Sequence, residues 1–261
     1  MGERQHARSN SACGDTTQHC RGARHVGGAV QAMGLEFSNP LGLAAGFDRT
    51  GRLVPTLARL GFGHIEVGTI TPGTANVALP SKVPAGLRLG VNIGSPRQGL
   101  DELVVGDYVA ALARVWSRAD FVSANLTSPF LARDGDTPGI DRLIEHLSVA
   151  WQELCRETDR PRPLLVKVAC GPPGTAVPAA IASVRRHRLS GIVLVSTSPQ
   201  QIAAVRRELG GAVVISVGGV ESAVDVEERL AAGASLVQIY RAFVRDGPGA
   251  PQRILSELDV T

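Results

Sequence analysis

Lys167 stands inside LVKVA (Leu165–Ala169), a run that is otherwise apolar. A buried lysine is costly unless paired, so the position marks either a working cation or a stem that snorkels to solvent from a strand end. Asn92 and Asn125 end two further apolar runs. Each amide offers one acceptor and two donors to a ligand's polar edge, or else caps a loop. Ser128 follows closely, with Pro129 stiffening the turn. A serine is a weak base and needs a relay or a shielded site to take a proton; the plain alternative is a turn serine. Gly218-Gly219 and Tyr240-Arg241-Ala242 follow two more apolar runs. Paired glycines let backbone N–H groups point at an anion, and a helix starting after Tyr240 would add its positive end. Upstream, the run from Asn39 ends in Ala44-Ala45-Gly46, small enough for a flat ligand to approach the backbone. The Asp48-Arg49 pair just beyond can meet that ligand's polar edge.

These residues all fall at the ends of apolar runs, and the runs alternate with helical patterns. Strands are predicted at 41–45, 64–68, 87–92, 121–125, 164–168, 192–196, 213–217 and 236–240. Helical spacing predicts helices over 53–60, 104–116, 140–156, 177–187, 202–209 and 223–232. Eight strands alternating with helices predict an α/β fold, a closed (β/α)8 TIM barrel with a phosphate site at its last two strands. An open doubly wound sheet is the alternative, but the GxGxxG fingerprint is absent. The 261 residues, 44% of them apolar, suit one domain with a large core. A net charge of +3 without a basic block argues against nucleic-acid binding. Cys13, Cys20, Cys155 and Cys170 are scattered, with no CxxC pair, so neither a disulfide framework nor a metal site is predicted. A reduced, cytoplasmic protein is the expectation, and no apolar stretch reaches the length of a membrane span. Residues 1–32 are polar, basic and small, and read as a disordered tail before a barrel over 33–261, with Met33 as a candidate start.

The chain also resembles the dihydroorotate dehydrogenase family. NPLGLAAGFDR at Asn39–Arg49 and GFGHIEVGTITP at Gly61–Pro72 are similar to that family's NPxGLAAGxDK and GFGxxExGTxTP. GVNIG (Gly90–Gly94), NLTSP (Asn125–Pro129), LVKVA, SVGGVES (Ser216–Ser222) and AGASLVQIY (Ala232–Tyr240) match further family segments in order. The resemblance implies an FMN-dependent oxidoreductase that converts dihydroorotate, or a relative of it, to the oxidised product in pyrimidine biosynthesis. It implies FMN contacts at Ala45, Gly46, Thr69, Asn92, Asn125 and Lys167, with the phosphate on Gly218, Gly219, Tyr240 and Arg241. Lys167 would stabilise the reduced ring at its N1–C2 edge. Ser128 would take a proton from one substrate carbon while the neighbouring carbon gives hydride to the flavin. A serine here, where another subclass has cysteine, implies the quinone-using type. Membrane-bound members of that type place an amphipathic helical domain before the barrel, and no such pattern occurs in residues 1–32. Family members often dimerise, which leaves a homodimer open.

Substrate contacts are implied at Arg49, Asn125, Phe130, Ser196 and Thr197, and several of these depart from the family pattern. Arg49 replaces a lysine, which keeps the charge but widens the contact. Phe130 replaces an asparagine, and Ser196-Thr197-Ser198 stands where an NTT-type motif is usual. The family's NRxGFNN segment has no counterpart between Pro72 and Leu87, and the link between the sixth and seventh strands lacks its GGLSG segment. Each missing hydrogen bond to a charged substrate group is worth ~1.5–3 kcal/mol. The departures leave room, beside dihydroorotate, for a related and more apolar substrate. They also keep two other readings open: a flavin-free barrel for a phosphorylated ligand (a lyase or isomerase), and a non-catalytic partner subunit.

Overall fold

The computed structural model describes residues 27–128, 131, 137–158 and 161–258. Phe130 and residues 1–26 lie outside these. Eight parallel strands close on themselves in the order β10-β3-β4-β5-β6-β7-β8-β9. They are β3 (Leu41–Leu43), β4 (His64–Ile70), β5 (Arg88–Ile93), β6 (Phe121–Asn125), β7 (Leu164–Ala169), β8 (Gly191–Val195), β9 (Val213–Val217) and β10 (Leu236–Ile239). Each is buried on both faces, which is why each reads as an apolar run rather than an alternation. The (β/α)8 barrel expected from the sequence is therefore the fold, with strand boundaries within three residues of those predicted.

Helices cover the outside: α1 (Val54–Leu57), α2 (Glu102–Val115), α3 (Thr137–Glu157), α4 (Ala180–Arg186), α5 (Pro199–Leu209), α6 (Ala223–Ala231), α7 (Arg241–Asp246) and α8 (Ala250–Leu258). Local chemistry starts several of them. Asp101 accepts from the Val104 N–H at 2.9 Å before α2, and Ser222 with Asp225 forms a capping box on α6. Leucine, valine and isoleucine at helical spacing then pack against the strands in one core. No helix fills the crossover between β4 and β5. Instead, Arg114 on α2 braces this strap by donating to the carbonyls of Thr71, Pro72 and Thr74 at 2.9–3.0 Å.

A short hairpin, β1 (Val30–Ala32) and β2 (Leu35–Phe37), precedes the barrel. Residues 30–32, expected to belong to a disordered tail over 1–32, instead form β1. Its reason is Phe37, which is fully buried beneath the barrel, edge-on to His64 at 5.7 Å and 6.4 Å from Phe121. These rings plug the end of the barrel opposite the strands' C-termini. A Cβ on Gly42 would overlap the His64 ring, so β3 carries a glycine there.

Candidate active site

Above the aromatic plug the barrel interior turns polar. Glu66 (β4), Asn92 (β5), Ser123 (β6), Lys167 (β7) and Gln238 (β10) form one connected layer, each at most 8% exposed. Glu66 is its centre. Its Oε1 accepts from Asn92 Nδ2 at 3.1 Å and from the Ser123 hydroxyl, and its Oε2 accepts from Gln238 Nε2 at 2.9 Å. Lys167 Nζ lies 3.9 Å from the same Oε2. That distance is an ion pair without a hydrogen bond. Burial pushes the Glu66 carboxyl upward. Lys167 and the donors from Ser123, Gln238 and Asn92 outweigh it and hold the group below the usual carboxylate range.

On this layer opens a cavity of about 310 Å³ at the C-terminal mouth of the barrel. Lys167, Asn92, Asn125, Thr69, Ala45, Gly46 and Arg49 line it, all seven expected from the sequence, together with Gly68 and Thr127. Gly68 has φ +121°, and a Cβ there would overlap the Asn92 carbonyl, so the wall can come this close only as glycine. A second cavity of about 190 Å³ is lined by Gly218, Gly219, Tyr240 and Arg241, as expected, with Gln238 and Glu221 among its other walls. Tyr240 stands between the two: its ring lies 3.5 Å from where a Cβ on Gly46 would sit.

The geometry also shows what else several of the expected residues hold. Asp48 does not face the cavity. It is buried and accepts from the N–H groups of Thr50, Gly51 and Leu53 at 2.8–3.1 Å, so it builds the loop that carries Arg49. Both amide hydrogens of Asn92 go inward, to Glu66 and to Ser123 at 2.8 Å, while its Oδ1 accepts from Thr69 at 2.8 Å. Asn125 is spent in part on its own loop, accepting from the Thr127 N–H and hydroxyl at 3.0 and 2.7 Å. Ser128 is half-buried next to Thr127 but is not part of the cavity wall. Ser196 and Thr197 do not line it either. The Ser196 hydroxyl donates to Gln201 at 2.6 Å, and the carbonyls of both accept from buried Arg229 at 2.8 and 2.9 Å. Arg229, Ser123, Gln238 and the structural role of Glu66 were not read from the sequence. Glu66 and Gln238 carried the same signal as Lys167, a lone polar residue within an apolar run.

The dihydroorotate dehydrogenase family model matches residues 28–78 and 181–261. A Thermus thermophilus protein named dihydroorotate dehydrogenase (quinone) is 34% identical, over 87% of this chain and 81% of its own length. The chain belongs to the dihydroorotate dehydrogenase family. A protein of the same name from Idiomarina loihiensis is 29% identical over 88% of this chain and 86% of its own. The solved dihydroorotate dehydrogenase of Eimeria tenella in complex with ferulenol shares the fold. Its TM-score is 0.76 at 22% identity, covering 89% of this chain and 83% of that one. Between the two matched blocks the family model leaves out β5, β6 and β7, the strands of Asn92, Asn125 and Lys167. Those strands nevertheless take their places in the barrel beside the matched ones.

Family membership implies a flavin, and two features of the walls fit one. Gln238 lines the smaller cavity with its Oε1 buried and unpartnered, while its Nε2 is fixed by Glu66. A carboxylate only accepts, so Glu66 sets which way this amide turns and leaves an acceptor for a ligand hydroxyl. Gly218 and Gly219 both have positive φ, +112° and +68°, a backbone shape suited to presenting N–H groups to a phosphate.

Proposed function

We propose that this protein is a flavin-dependent oxidoreductase that oxidises dihydroorotate to orotate, using FMN and passing the electrons to a quinone. The observation that carries this reading is Lys167. Among the described residues its ammonium makes no hydrogen bond to protein, yet it is fixed by charge at the floor of the cavity. Its three N–H donors are therefore free for a ring laid over them. The substrate and acceptor follow the names of the relatives.

When bound, FMN would accept the hydride removed from the substrate. The chain's own residues do the rest. Lys167 offers positive charge where reduction adds negative charge. Gly218, Gly219 and Arg241 would hold the cofactor's phosphate, and Gln238 would accept from one of its hydroxyls. Arg49 is exposed at the cavity mouth, and its forked guanidinium suits a carboxylate. Ser128 takes the substrate proton from the loop after β6. Thr127 shapes that loop through Asn125. Arg49 lines the cavity whereas Ser196 and Thr197 do not, so Arg49 carries more of the substrate's grip.

The test is a visible absorption spectrum of the purified protein, with the released cofactor identified by mass. FMN in the protein, bleached anaerobically by dihydroorotate and restored by a soluble ubiquinone analogue, is the expected result. A protein that carries no flavin and takes up none when it is added would end this reading. The phosphorylated-ligand alternative would then be the one to pursue.

A further inference from the structure

We propose that Glu66 is a positioning residue that acts through Lys167, holding the ammonium on the cavity floor by charge while leaving its three donors unspent. The role in cofactor binding rests on the flavin reading above; the lock itself does not. Glu66 is 1% exposed and lines neither cavity. A buried carboxylate needs its lone pairs met, and three of its roughly four acceptor sites are filled by Ser123, Asn92 and Gln238. Against burial, Lys167 and these three neutral donors keep the carboxylate ionised, and the donors fix its direction. The remaining site, on Oε2, faces Lys167 Nζ at 3.9 Å. At that separation the pair attracts, but no ammonium proton is committed to it. A closer pair would spend a donor on the protein. With no pair at all, an unpartnered buried cation would tend to shed its proton or move to water. The 3.9 Å separation keeps the charge, the place and the donors together.

The chain supplies its own probe, since it has only two lysines, Lys82 and Lys167. Lys82 is exposed and serves as internal reference. Flavin-free protein is acylated with sulfo-N-hydroxysuccinimide acetate, and the rates at the two lysines are compared by peptide mass. FMN affinity is then measured by fluorescence quenching for wild type, Glu66→Gln, Lys167→Met and the double variant. Glu66→Gln keeps an acceptor for Ser123 and Asn92, and the Gln238 amide can turn its free Oε1 to the new N–H while its Nε2 donates to the same ligand hydroxyl, which accepts as readily as it donates. Expected is a rise of roughly tenfold in the Lys167 rate relative to Lys82 on Glu66→Gln, partly reversed in Glu66→Asp. FMN affinity should fall roughly tenfold on Glu66→Gln with Lys167 present, and stay within about twofold in the Lys167→Met background.

Unchanged relative labelling overturns the proposal, as do equal losses of affinity in both backgrounds. Should Glu66→Gln alone fail to fold, Lys167→Met and the double variant still decide. Removing both charges leaves no unpaired buried ion. Equal FMN affinity of those two supports the lock, and a further loss in the double variant overturns it. A wild type that binds no FMN but whose Lys167 labelling rises on Glu66→Gln supports the lock and overturns the flavin reading alone.

Discussion

His64 should make the fold acid-sensitive, and replacing it with leucine should remove that sensitivity. The side chain is fully buried among Phe37, Phe121 and Gly42, and neither ring nitrogen has a partner. Burial lowers its pKa from 6.5 to about 4, although the Glu66 charge above it pulls the other way. Between those two values the unfolded chain binds more protons than the folded one, so stability falls as pH falls through the window. At 1.36 kcal/mol per unit, the full loss is about 3 kcal/mol, reached below the folded value. Leucine is close to histidine in size and has no charge to desolvate. Any packing cost or gain from His64→Leu is the same at every pH and cancels in the comparison. Urea unfolding of both proteins at intervals from pH 7 to pH 4 gives the two curves. Their difference should grow by about 3 kcal/mol toward acid, in favour of the variant. Parallel curves, with a change in the difference below about 0.5 kcal/mol, would refute the reasoning, because His64 would then be charged or hydrated in the fold.

Two further changes test the supports of the site. Arg229→Ala removes two charged hydrogen bonds and leaves the Ser196 and Thr197 carbonyls unmet, at a cost of roughly 2–4 kcal/mol. A thermal melt should fall by roughly 5–15 °C, and an unchanged midpoint would show that the loop after β8 stands without it. Ser128→Ala should leave the FMN content intact and slow flavin reduction by dihydroorotate roughly a hundredfold or more in rapid mixing. Unchanged reduction would take Ser128 out of the mechanism.

The barrel was legible because strands buried on both faces must be apolar throughout, and turns interrupt them at regular intervals. The polar residues within those runs were legible as anomalies, but their partners were not. Gln238 meets Glu66 across 172 positions of sequence, a contact that follows only from closure of the sheet. For the same reason Asn92 was expected to face the ligand, whereas both of its N–H groups turn down to Glu66 and Ser123. Ser196 and Thr197 sit where a substrate loop belongs, after a barrel strand. Arg229, on the helix after the next strand, takes their carbonyls instead. The hairpin β1–β2 escaped because strands of three residues are too short to show a period against a polar background.

The filled lone pairs of Glu66 also account for the cation beside it being a lysine. Arginine supplies all but two of the 27 basic residues of this chain, so its absence at position 167 calls for a physical reason. A guanidinium prefers a fork onto two oxygens, with five donors to satisfy. Here Oε1 is already taken by Ser123 and Asn92, and Oε2 by Gln238, so the fork has only one open acceptor. An arginine would bring donors that the barrel cannot meet and would reach into the cavity in place of a ligand. The ammonium is compact, needs only the nearby charge, and turns its donors upward. The three neutral donors that fill the lone pairs of Glu66 thereby select the residue opposite it.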